Sequence, residues 1–295
     1  MSTIANPLEP ALMKLFQRAH VVYGLLHLMN EETTRLAKRI REAIASKQDE
    51  MPIILTGLSI PIIDLTGKTD HGWPLKYASG GFSVQDEQYV AALEALVSRN
   101  ASWAVSQVYE AFETFLKDIL AYYFMVNPSD AVPGKVAKFD GDQKSGGLAK
   151  NSFEYWRAYV GYVGHGTNNS GLFKLARALA PKLQQTEANK PLGIFLLDWY
   201  VAASKARHAV THADFEVKPD EWNSMTEEQM LLSQQWFPCR MDDGRRLLDV
   251  SPDHAERAIR MFLQYAFTIF KFLSDVKGYD WNIFERGFKT GPSRP

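Results

Sequence analysis

One cysteine, Cys239, stands in a chain of 295 residues. No disulfide can form within it, and a cysteine-rich zinc site is excluded; this usage fits a reducing compartment. The chain also lacks net charge. Its 33 basic and 34 acidic side chains leave −1, so no whole-molecule field draws it to nucleic acid or to an anionic membrane. Contact with a polyanion must therefore use a local basic groove. No run of about 18 apolar residues occurs, so no membrane span is expected, and the first residues lack the basic-then-apolar layout of a secretion signal. A cytoplasmic protein is the expectation. There is no internal repeat of about 20–50 residues and no Gly-x-Ser-x-Gly elbow, and Cys239 has no local signature of a nucleophile. The glycine-rich stretch 161–171 lacks the spacing and the terminal Lys-Ser/Thr of a phosphate-binding loop and reads as a connector.

What is present is helix. Residues 7–46 carry Leu12, Leu15, Ala19, Val22, Leu26, Met29, Thr33, Leu36, Ile40 and Ala43 at three- and four-residue steps, the period of one amphipathic helix. Residues 50–84 are short apolar runs broken by Pro and Gly and read as short strands or extended segments. Helices are predicted over 86–99 and, with a wide apolar stripe of Val105, Val108, Phe112, Phe115, Leu116, Ile119 and Tyr123, over 102–124. Asn127-Pro128 ends the second. Residues 135–151, rich in Gly, Lys and Asp, read as a surface loop. Helices follow over 153–163 and 172–183, and another from about 191. Pro219 is read as a stop. Residues 237–250 form a hairpin with Asp243-Gly244 at its turn. Ser251-Pro252-Asp253 starts a last helix to about 277, where Gly278 is the C-cap.

The chemistry concentrates at the end of the helix from 191, in Arg207-His208-Ala209-Val210-Thr211-His212. An imidazole moves protons near neutral pH, and a guanidinium stays charged and meets a phosphate with a fork of donors. These groups suffice for phosphodiester cleavage without a metal. Arg207 and His212 are five apart, about 140° around an ideal helix. One intact helix is therefore not expected to aim both at one phosphate: either it ends between them or two copies share the site. A metal reading competes, because His208-x-x-x-His212-x-Asp214 offers two imidazoles one turn apart and a carboxylate. It lacks the glutamate of a metalloprotease motif, and further ligands such as His165 or Glu113 would have to come from elsewhere. The bland reading is a helix end whose histidines serve the dipole and packing.

The hexad resembles the Arg-polar-x-x-x-His signature of HEPN domains, α-helical domains of many RNA-cutting toxins and defence proteins. Two more pieces lie in the matching order: the helix 108–120 and the hairpin Asp242-Asp243-Gly244 with the apolar helix after it. The resemblance covers roughly residues 100–275. It implies a mainly α fold, an antiparallel helical bundle over 100–278 with a small β-hairpin; the residues themselves add a helical and irregular elaboration over 1–99 and a polar tail over 279–295. It implies a metal-independent endoribonuclease serving as a toxin or in antiviral defence. His212 would be the proton shuttle, Arg207 the anion stabiliser, and a homodimer would pair two hexads in one cleft. His208 stands where the family most often has Asn. Glu110 and Glu113 lie on the flank of the 102–124 helix, and Glu113 is the better match to the acidic residue expected to hold Arg207; Lys174, Arg177 and Lys205 are the candidates for RNA contact. No metal and no other cofactor is called for, and the partners expected are RNA, a second copy and an antitoxin or defence protein. The family also contains modules that bind RNA, nucleotide or protein without catalysis, and residues 7–46 could serve a helical interaction protein.

Overall fold

Asn6 starts the first helix by satisfying its free backbone groups. Its side-chain oxygen accepts from the Leu8 amide at 3.0 Å, and its amide donates to Ser274 Oγ at 2.8 Å and to the Asp280 carbonyl at 3.0 Å. The residue is 3% exposed, so this polar group is buried with its partners present. The structure is a computed structural model; it describes residues 6–45, 86–142, 144, 146–164 and 170–283. The expected strands within 50–84, His165 and most of the polar tail lie outside the described residues.

Among the described residues helices dominate, with one two-stranded antiparallel hairpin. In order they are α1 (Glu9–Ala45), α2 (Asp86–Val126), α3 (Pro133–Gly141), α4 (Phe153–Val163), α5 (Ser170–Leu179), α6 (Pro181–Ala188), α7 (Leu196–His212), α8 (Pro219–Asn223), α9 (Glu227–Trp236), β1 (Cys239–Asp242), β2 (Arg245–Leu248) and α10 (Pro252–Lys277). No helix among the described residues is long and apolar enough to cross a membrane. The chain divides into two compact units, 1–27 with 98–295, and 28–97. The division thus falls inside α1 and α2, and the first turns of α1 belong to the larger unit. In the smaller unit, Ala37 and Ile40 pack with Leu93 and Val90, and Arg41 pairs with Glu94. Leu36, expected inside, is 40% exposed there.

Several elements depart from the sequence reading. The two helices expected over 86–124 are the single α2: no Gly or Pro interrupts it, and Ala101 and Ser102 are buried at the expected break. The loop expected over 135–151 begins as α3. Pro133 occupies its first turn, where no amide is needed, and Phe139 anchors it edge-on against Tyr155 and Tyr159 at 5.5 and 5.8 Å. The helix expected over 172–183 is two, because Ala180 leaves helical geometry (φ −131°) and Pro181 starts α6. Pro219 starts α8 rather than only ending what precedes it.

The core of the larger unit is aromatic. Phe112 lies within 5.4–6.4 Å of Phe115, Phe173, Tyr200, Phe262 and Tyr265, ring centre to ring centre. This joins α2 to α5, α7 and α10. Beside it, Arg177 Nε is 2.6 Å from Glu187 Oε2, and the Tyr265 hydroxyl donates to the other oxygen of the same carboxylate. Burial and Glu187 push the Tyr265 phenol well above its ordinary range, so it stays a donor. At the far end of α10, Asp130 takes hydrogen bonds from Lys277 and Tyr123, both at 2.6 Å, and these hold its carboxyl below the usual range.

Two stability tests follow. Glu187→Ala leaves the largely buried Arg177 without its counter-ion and should cost about 3–5 kcal/mol in urea unfolding; a loss under 1 kcal/mol would remove this pair from the fold's supports. Asp130 is the depressed-carboxylate case, whose contribution is present above the unfolded pKa and lost as pH falls through the folded one. Asp130→Asn should therefore destabilise at pH 7, with the difference from wild type closing below about pH 4.

Candidate functional site

Helix α7 buries Trp199, Tyr200, Ala202, Ala203, Ala206 and Ala209. Small residues on that face let neighbouring helices approach closely, and its other side carries Arg207, His208 and His212. Arg207 Nη2 is 3.2 Å from Glu110 Oε1 on α2, and Arg207 Nη1 is 3.4 Å from His212 Nε2. His208 Nε2 is 3.3 Å from Glu221 Oε1 on α8, and the His208 and His212 rings lie 4.9 Å apart, centre to centre. Arg207, His208 and His212 therefore form one group with two carboxylates on its flanks.

This changes two expectations. The helix does not end between Arg207 and His212; it is unbroken to His212. The two side chains still meet, because the long arginine reaches along the surface and His212 is the final helical residue. A second copy is not needed to bring them together. The partner of Arg207 is Glu110, not Glu113. Glu113, one turn further along α2, accepts from Tyr200 at 3.4 Å. It also takes a hydrogen bond from Tyr109, whose phenol burial, with Glu113 beside it, raises to about 12. Glu110 pairs with Arg207 and Glu113 with Tyr200, so the two helices run antiparallel here. Glu113 thus meets α7 two turns before the hexad.

The chain leaves α7 through a strained turn. Asp214 and Phe215 both have positive φ, +48° and +67°, and for a bulky residue such as Phe this costs on the order of 1–2 kcal/mol. The turn is clamped from both sides. The Phe215 amide donates to the Ala209 carbonyl at 2.9 Å, and the Leu248 amide donates to the Phe215 carbonyl at 2.9 Å. The Val217 amide donates to Arg246 at 2.8 Å, and the Arg99 guanidinium lies 5.2 Å from the centre of the Phe215 ring. Arg246 on β2 also covers the Trp222 ring at 3.8 Å, which seats α8 and with it Glu221. Two buried charged atoms at this place, Arg207 Nε and Glu221 Oε2, have no hydrogen-bond partner among the described residues.

The other candidates lie apart. Lys174 is exposed on α5 and Lys205 is half-buried on α7, and neither is among the contacts that join the hexad. Arg177, expected at RNA, is engaged with Glu187 inside the fold. Burial pushes the Cys239 thiol up to about 11, which suits an inert side chain. Among the described residues no group of three or more His, Cys, Asp or Glu could hold a metal ion. Glu221 was missed because Pro219 read as an end and not as the start of a short helix; Asp220 and Glu221 in its first turn were the available signal. The chain matches no family model, no curated protein and no solved structure among known proteins.

The arrangement predicts a local readout. Glu110→Gln should shift the side-chain Nε–H resonance of Arg207, while Glu113→Gln should leave it in place. The reverse pattern would restore Glu113 as the partner.

Proposed function

We propose that this protein is a metal-independent endoribonuclease of HEPN type, its larger unit an antiparallel HEPN-like bundle. The observation that carries the reading is the meeting of Arg207 and His212 at 3.4 Å on one exposed helix end, with Glu110 holding the guanidinium. A 2′-hydroxyl of RNA attacks the neighbouring phosphate. His212 moves the proton, and Arg207 stabilises the charge that develops on the phosphorus-bound oxygens. The products are a 2′,3′-cyclic phosphate and a 5′-hydroxyl. Lys174 and Lys205 are the cations left for RNA contact, and a toxin or antiviral-defence setting is carried by the family resemblance. Homodimerisation remains part of the proposal: it would bring two such Arg–His pairs into one cleft, although a single copy already brings Arg207 and His212 together.

The test is cleavage of RNA by the purified protein in EDTA, with the ends mapped. Wild type should yield 2′,3′-cyclic phosphate ends without added metal. His212→Ala should slow cleavage by about 10²–10⁴ at nearly unchanged melting temperature. Arg207→Lys should fail as well, since a point charge does not reproduce a two-pronged phosphate contact. RNA binding without cleavage, unchanged in His212→Ala, would replace this reading by the non-catalytic module. Activity lost to EDTA and restored by zinc or manganese would replace it by a metal mechanism.

A further inference from the structure

His208, the residue that departs from the family pattern, stands against a carboxylate. Its Nε2 faces Glu221 Oε1 at 3.3 Å. An ionised carboxylate only accepts, so this contact favours a hydrogen on Nε2 and leaves Nδ1 as the nitrogen open to a substrate. His212 stands in the opposite state. Arginine has donors and no acceptor, so the contact of Arg207 Nη1 with His212 Nε2 uses the lone pair of that nitrogen. One imidazole thus faces a carboxylate and the other a guanidinium, with ring centres 4.9 Å apart. The charged groups facing them are Arg207 on α7 itself, Glu110 on α2 and Glu221 on α8. Arg246 of the hairpin lies over the ring of Trp222, the residue after Glu221.

Resting on the nuclease reading above, we propose that His212 is the general base and His208 the general acid of the same cleavage, so that one copy of the chain carries both proton-transfer groups. Glu221 is the positioning residue that fixes the orientation of His208 and balances its charge. The step is balanced within the site. The 2′-hydroxyl gives its proton to His212 Nε2 as the bond from O2′ to phosphorus forms. His208 enters the step as the imidazolium, paired with Glu221; the bond from phosphorus to O5′ breaks as O5′ takes the Nδ1 proton, leaving His208 neutral with its hydrogen on Nε2. Solvent then returns the two imidazoles to their starting states. Arg207 turns from His212 to the phosphate as the base is engaged.

The experiment compares two RNAs of one sequence: the natural one, and one with sulfur in place of the bridging 5′-oxygen at the bond that wild type cuts. Sulfur leaves without a proton. His208→Asn, which installs the residue usual in the family, should slow the natural bond by about 10²–10⁴ and remove the alkaline limb of the pH–rate profile. It should cut the sulfur-bridged bond nearly as fast as wild type. Glu221→Gln should slow the natural bond more than the sulfur-bridged one. His212→Ala should be slow on both, and a mixture of His208→Asn with His212→Ala should stay inactive. Wild-type rates for His208→Asn on the natural bond, or equal losses on both bonds, would overturn the acid role while leaving the nuclease standing. Cleavage regained in the mixture would overturn the single-copy site. A wild type that cuts neither RNA defeats the nuclease reading itself.

Discussion

The packing of Phe112 is the constraint on which the larger unit rests. A fully buried ring in contact with five other rings on four helices fixes those helices in position and in rotation about their axes. Each such contact adds about 0.5–1.5 kcal/mol beyond the area it buries. Its larger effect is geometric, because interiors pack too densely for a helix to turn without displacing its neighbours. Phe112 lies between Glu110 and Glu113 on α2, and its ring meets Tyr200 on α7. The rotation that buries Phe112 therefore also presents Glu110 to Arg207 and Glu113 to Tyr200. The register of an acid against a guanidinium is set by an apolar contact two residues away.

A second constraint acts at the other end of the hexad. A helix that ends in solvent frays, and His212 is its last residue. Here the chain is caught at once by the hairpin, through Phe215 and Val217, and the same strand holds α8 through Trp222. Two short strands of four residues each have little stability of their own. Their role is positional, since they tie the turn after His212 and the helix bearing Glu221 to one support. The hairpin thus supports the candidate site through the backbone of Phe215 and Val217 and the ring of Trp222.

Much of this was legible in the sequence. The stripe of α2, the Asp-Gly hairpin turn, the Ser251 cap with its Pro and the left-handed Gly278 are local signals, each with a local cause, and they appear where expected. Arg207, His208 and His212 could be chosen because reactive side chains were crowded into six positions. The errors share another origin. Taking Glu113 for the partner of Arg207 was a one-turn error, and periodicity cannot resolve one turn between two acids on the same helix flank. The offset between Arg207 and His212 was judged by backbone angle alone, which omits the length of an arginine. Phe139 was hidden in a stretch whose composition reads as loop, since a single buried ring suffices to fold α3. Arg177 looked like a surface cation because Glu187, ten residues on, lies beyond an unforeseen helix break.

The distribution of energetic cost says more about the hexad than its motif does. Eight buried side-chain atoms lack a partner among the described residues, and six of them belong to neutral hydroxyl, amide or indole groups. The two that carry charge, Arg207 Nε and Glu221 Oε2, both belong to the hexad group, and the consecutive positive-φ residues Asp214 and Phe215 follow within three positions of His212. An unsatisfied charged group costs more than a neutral one, and left-handed backbone at Phe adds to it. A fold that pairs Asn6, Asp118, Asp130 and Glu187 so completely does not lack the means to satisfy polar atoms. The charge left without a partner thus falls beside the two imidazoles, while left-handed backbone at non-glycine residues occurs also at Lys190, Leu192 and Asp243.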